Sequence, residues 1–157
     1  MNTLRHIITI AILLATTITV SGQRHARGNY EVPSPRWVAP AFIDAYSDRD
    51  TVSLSMQTPM LQWMMPIDNN SPVPVNFTYD LKIVETMPGQ DPLEAIERNP
   101  VAYQLRQLMA PQCLIPVNVI KMFSHDMVYV AQVTACAPHV RQQNGGHSDL
   151  LIFRVTD

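Results

Sequence analysis

Residues 126–135 read DMVYVAQVTA and set Tyr129, Ala131, Val133 and Ala135 against Val128, Val130, Gln132 and Thr134. That alternation predicts a β-strand. The first set faces a core and the second is partly polar, the pattern of an antiparallel sheet with one wet face. Tyr129 enters the strand just after a turn. A tyrosine so placed either packs its ring and no more, or also ties its hydroxyl to backbone a few residues upstream, the device known as a tyrosine corner.

Further strands are spaced on both sides of this one. Val75 to Glu85 alternate Val75, Phe77, Tyr79, Leu81 and Ile83 with Asn76, Thr78, Asp80, Lys82 and Val84. Pro59 to Pro66, reading PMLQWMMP, place Leu61 and Trp63 on one face and Met60, Gln62 and Met64 on the other. A strand over Cys113 to Ile120 carries Cys113, Ile115, Val117 and Val119 on one side, with Pro116 suited to an edge position. After the turn Asn144-Gly145-Gly146, Leu151, Phe153 and Val155 oppose Leu150, Ile152 and Arg154. Weaker signals place strands at Phe42–Tyr46 and Thr51–Leu54, and Asp68 to Pro74 have the composition of a loop. The expected core is Trp63, Tyr79, Leu81, Tyr129, Val133 and Phe153.

One segment breaks the two-residue period. Pro88-Gly89 ends a strand, and Asp91-Pro92 supplies a capping carboxylate and a proline for a first helical turn. Leu93, Ala95 and Ile96 then share a helical face through Arg98, before Asn99-Pro100. Tyr103, Leu105 and Leu108 settle on no single period, so Val101 to Ala110 either prolong the helix or form a helical crossover. The expected helical insert covers residues 91–110.

At the N-terminus, Arg5 and His6 precede the apolar run Ile7–Leu14, and small residues follow at Val20 and Gly22. This is the pattern of a secretory signal peptide over residues 1–22, cut ahead of Gln23, with an uncleaved anchor as the alternative. The predicted product is exported: periplasmic, outer-surface or extracellular, with no membrane span after cleavage. Residues 23–40 hold three arginines and three prolines without a traceable apolar face, and are expected to be an extended leader. Residues 41–157 suffice for one domain with one core. A net charge of -2 gives no broad basic field, which argues against nucleic acid as a partner. Thirteen prolines and 15% charged residues suit short strands joined by stiff loops.

The chemistry-bearing residues are scattered. No Gly-Xaa-Ser-Xaa-Gly elbow, phosphate-binding glycine loop or HExxH is present. The five histidines have no zinc spacing, although His139 and His147 could approach across the last turn as a weak pair. Met56, Met60, Met64 and Met65 invite a copper reading, but four-residue spacing on a strand separates side chains by about 13 Å. Packing methionines are the preferred account. Glu85 with Asp91, or Glu94 with Glu97, offer paired carboxylates for glycoside hydrolysis, and solvated side chains of the insert explain them more simply. Cys113 and Cys136 could bond after export, yet they fall on opposite strand parities, which favours two thiols. Asn69-Asn70-Ser71 and Asn76-Phe77-Thr78 fit the short N-glycosylation pattern.

In this order the motifs resemble a fibronectin type III domain, and more narrowly the TANFOR-type modules of exported proteins in Gram-negative anaerobes. The resemblance covers roughly Phe42 to Val155. It rests on Leu61-Gln62-Trp63 before Pro66, on Tyr79 to Glu85, and on Gln90-Asp91-Pro92 with Ala95-Ile96 and Asn99-Pro100. Tyr129 to Ala135, then Asn144-Gly145 with Ser148 and Phe153, complete it. It implies an all-β fold: an antiparallel β-sandwich of about seven strands with a short helical insertion, and no active site. Two positions depart from the family, Asp126 where a glycine is usual and Ala131 where Trp is frequent. Asp50-Thr51-Val52 resembles an O-glycosylation site of some of the same bacteria, which marks Thr51 as a candidate glycan carrier.

The expected function is a non-catalytic exported adhesion, scaffold or interaction module of the cell envelope or surface, with a protein or glycan partner and no cofactor or metal. A carbohydrate-binding accessory module using the helical insert and neighbouring loops is the alternative, and a glycoside hydrolase ranks below it.

Overall fold

The computed structural model describes residues 31–40, 51–57, 59–67 and 75–157. The signal peptide expected at 1–22, the strand expected at 42–46 and the loop expected at 68–74 lie outside the described residues. Eight strands are described: β1 (Arg36–Ala39), β2 (Val52–Ser55), β3 (Met60–Met64), β4 (Thr78–Thr86), β5 (Val101–Leu108), β6 (Gln112–Leu114), β7 (Val128–Cys136) and β8 (Leu151–Thr156). Two short helices, α1 (Pro92–Arg98) and α2 (Val117–Ile120), and a 3-10 turn at Gln143–Gly146 join them.

The strands form two sheets, one ordered β1-β3-β6 and the other β2-β8-β7-β4-β5. Their inner faces meet in one core, Trp37, Leu61, Trp63 and Cys113 from the first sheet against Tyr79, Leu81, Ile83, Tyr129, Val133 and Phe153 from the second. The protein is therefore all-β. The two clearest alternations of the sequence pair along their whole length, from Thr78↔Cys136 to Thr86↔Val128. This register sets Leu81 opposite Val133 and Ile83 opposite Ala131, so both strands turn their apolar sets to the same side.

Aromatic rings fill the core in two groups. Trp63 meets Trp37 edge-on at 5.9 Å and Tyr79 at 5.4 Å, whereas Tyr129 stacks on Phe123 at 4.5 Å and lies 5.7 Å from Phe153. The Tyr129 hydroxyl accepts the backbone N–H of Ser124 at 2.8 Å. In the last turn Gly146 has φ +83, and a Cβ there would collide with the Ala135 carbonyl oxygen, so only glycine fits.

Four expectations require correction. Residues 31–40 belong to the fold and are not part of a leader. Val32 is buried and exchanges backbone hydrogen bonds with Arg141 and Gln143, each 2.9 Å, while Trp37 is buried and donates Nε1–H to the Asp149 carbonyl at 2.8 Å. Glu31–Asp157 form one compact unit. The strand at 36–39 has a single inward side chain, Trp37, and one residue carries no period.

Second, the helical insert ends at Arg98, and 101–108 are strand β5 on the edge beside β4. Tyr79 pairs with Leu108 and Leu81 with Leu105, so three steps on β5 match two on β4. The extra residue makes a bulge. Gln107 takes φ +58 there, and its N–H donates to Asp80 Oδ1 at 2.9 Å. That bulge is why Tyr103, Leu105 and Leu108 fit no single period.

Third, the strand expected over 113–120 stops at Leu114. Pro116 then accepts the N–H groups of Val119 and Ile120, and the single turn of α2 brings Ile120 and, beyond it, Phe123 into the core. Fourth, the sheet is not wholly antiparallel, because β2 runs parallel to β8 from Val52↔Phe153 to Ser55↔Thr156.

Candidate functional site

The outer face of the five-stranded sheet is only partly wet, because α1 lies on it. Asp91 Oδ1 accepts from the N–H groups of Leu93 at 2.8 Å and Glu94 at 3.1 Å, and Pro92 occupies the first turn. The helix buries Ala95 and Ile96 against Val84 and Val130, with Leu150 and Ile152 at the margin. Polar groups hold its C-terminal end: Lys82 Nζ donates to the Ile96 carbonyl, and Asn99 Nδ2 donates to the Glu85 carbonyl at 2.7 Å. Val130, read as part of a wet face, is thus a second core residue.

Beside α1 runs an open groove of about 460 Å³ lined by Asp80, Lys82, Leu93, Glu97, Gln104 and His147, among others. Its chemistry is largely committed to the fold. Asp80 holds the Gln107 bulge, Lys82 holds the helix end, and Thr134 Oγ1 is hydrogen-bonded to His147 Nδ1 at 2.9 Å. The carboxylates considered for hydrolysis have similar duties: Asp91 caps α1, and Glu94 pairs with Arg98 at 2.8 Å within the same helix. Glu85 Oε2 lies 3.5 Å from the Tyr129 hydroxyl. Burial is the main cause that raises the Tyr129 pKa, with the Glu85 charge adding to it and the Ser124 bond opposing it.

Among the described residues no three His, Cys, Asp or Glu side chains gather as a metal site. Cys113 and Cys136 are both free, the first buried on β6 and the second exposed at the end of β7. Burial pushes the Cys113 thiol up to about 11, away from thiolate chemistry at neutral pH. Thr51 is exposed immediately before β2, and Asn76 is exposed before β4. Trp63, Tyr79, Leu81, Tyr129, Val133 and Phe153 are all buried.

The outer face of the three-stranded sheet is different. On β3 the alternation that buries Leu61 and Trp63 turns Met60, Gln62 and Met64 outward, and Met60 pairs with Leu114 and Gln62 with Gln112 of β6. On β1, Arg36 pairs with Met64, and Val38 is the extra residue of a bulge between Trp37 and Ala39. Val38, Met60, Met64 and Leu114 are 46%, 44%, 56% and 65% exposed. Met65 and Ile67, which follow β3, are exposed as well. Of the four methionines read as packing residues, only Met56 lies against the core. The sequence signal for this face is a strand apolar on both sides, MLQWM, within a two-layer protein.

No family model and, at a significant level, no curated protein matches the chain. No helix among the described residues is long and apolar enough to cross a membrane.

Proposed function

We propose that this chain is a non-catalytic exported interaction module of the cell envelope or surface, built on a fibronectin type III-like sandwich. It holds a partner protein against the outer face of its three-stranded sheet. The observation that carries this reading is the row of exposed Val38, Met60, Met64 and Leu114 on a face that a two-layer domain ordinarily gives to polar side chains. The sandwich type is supported by connections β3–β4, β5–β6 and β6–β7 that each cross between sheets, and by a tyrosine hydroxyl tied to backbone five residues upstream. Export is supported by the basic start, apolar run and small exit residues of 1–22.

A photo-reactive amino acid at Leu114, compared with one at exposed Arg106 on the other sheet, tests the face in cells that export the protein. Covalent protein adducts at 114 and none at 106 are expected; no adduct at 114 removes the reading. The intact mass of the exported protein tests cleavage ahead of Gln23, and retention of Met1 rules it out.

A further inference from the structure

Resting on the reading of this face as a protein-binding surface, we propose that its partner is a second copy of the same chain, packed sheet on sheet about a two-fold axis. Edge pairing is the other way in which β-proteins associate, and the edges here are blunted. Of the four edge strands, β6 has three residues and β2 four, β1 carries the bulge at Val38, and β5 is bulged twice. What remains is a face.

That face suits its own copy in charge, shape and size. Its outward positions on the three strands are Arg36, Val38, Ala39, Met60, Gln62, Met64, Gln112 and Leu114, with one charge, Arg36, on the edge strand β1. A two-fold contact therefore buries no charge at its centre. The cross-strand pair Gln62 and Gln112 lies between the Met60–Leu114 pair and the Met64–Arg36 pair, and an amide both donates and accepts, so it can bond to the same group of a copy. Methionine thioethers repack readily against one another. Two sheet faces pack on each other at about 10 Å, their side chains interdigitating. The exposed apolar area of Val38, Met60, Met64 and Leu114 is on the order of 400 Å². With Arg36 and the two glutamines it approaches about 600 Å² per partner, the low end of specific interfaces.

The test is sedimentation equilibrium of the purified exported protein over a concentration series, beside a Met64→Glu/Leu114→Glu variant. Both substituted side chains are exposed, and the variant's urea midpoint is measured alongside to establish that it folds. A monomer–dimer equilibrium is expected, with the dimer dissociation constant weakened about tenfold or more in the variant. A dimer that persists unweakened in the folded variant overturns the inference, because the contact then lies elsewhere. A wild-type protein monomeric throughout overturns it too, and the adducts at residue 114 then separate the two claims. Adducts to a different protein leave the interaction face standing with another partner, whereas none removes both. Co-flotation of monomer with phosphatidylcholine vesicles, lost in the variant, overturns it in favour of a lipid surface.

Discussion

Tyr129 and Ser124 close the turn ahead of β7: the phenol oxygen accepts the Ser124 N–H at 2.8 Å while its ring lies stacked on Phe123. A backbone donor inside the turn is thus paired by a side chain whose ring anchors the central strand. Tyr129→Phe keeps the packing and strands the donor, so a loss of about 1 kcal/mol, rising to about 3 if the N–H stays dry, is expected. Tyr129→Ala removes the ring and should cost about 3–5 kcal/mol. Urea unfolding read through the midpoint and slope separates the two.

Tyr79 provides the contrast. Its hydroxyl is buried without a hydrogen-bond partner among the described residues, as is Nε1 of Trp63, whose ring meets that of Tyr79 edge-on at 5.4 Å. Tyr79→Phe gives up no bond and releases a desolvated oxygen, so stability should stay within about 0.5 kcal/mol or rise by about 1. A loss comparable to that of Tyr129→Phe in the same urea experiment would show that the oxygen is paired in solution.

Helix α1 depends on one carboxylate for two of its free N–H groups. Asp91→Ala should lower stability by about 1 kcal/mol. Amide exchange across 93–99 should accelerate more than exchange in β7, since the helix can loosen from Val84 and Val130 while the sheets stay closed. Uniform acceleration would mean that helix and sheet open together.

Trp37 tests where the domain begins. Trp37→Ala removes a buried indole and its bond to the Asp149 carbonyl, with an expected cost of about 3–5 kcal/mol. A chain starting at Ala41 lacks all of β1 and should unfold at a clearly lower urea concentration than one starting at Glu31. Equal midpoints would restore the boundary at residue 41.

Burial raises Cys113 from its ordinary value near 9.0 to about 11 and Tyr79 from 10.0 to about 12. Both are neutral when protonated, and the fold holds the proton more tightly than the unfolded chain does. Their contribution is complete below pH 9 and is lost as pH climbs through about 9 to 12. Cys113→Val should flatten the early part of that decline, from about 9 to 11, in urea midpoints measured against pH. An unchanged slope would assign the alkaline loss to other groups.

The long strands were legible in the sequence because each alternates over enough residues to mark its own inward side. Tyr79, Leu81, Tyr129, Val133 and Phe153 could be placed in the core from parity alone, and Asp91-Pro92 marked the start of α1 through local capping chemistry. Tertiary pairing decided the rest. Trp37 is a core residue because β3 and the Asp149 carbonyl are there to receive it, and nothing in four residues announces that. Val101–Leu108 is a strand because β4 offers a ladder and a bulge absorbs its broken period, whereas local propensity left it open to helix. The same holds for the outward residues. Alternation says that Met60 and Val130 each point away from the main core; the presence of α1 over Val130, and of no described segment burying Met60, is what makes one part of a second core and leaves the other exposed.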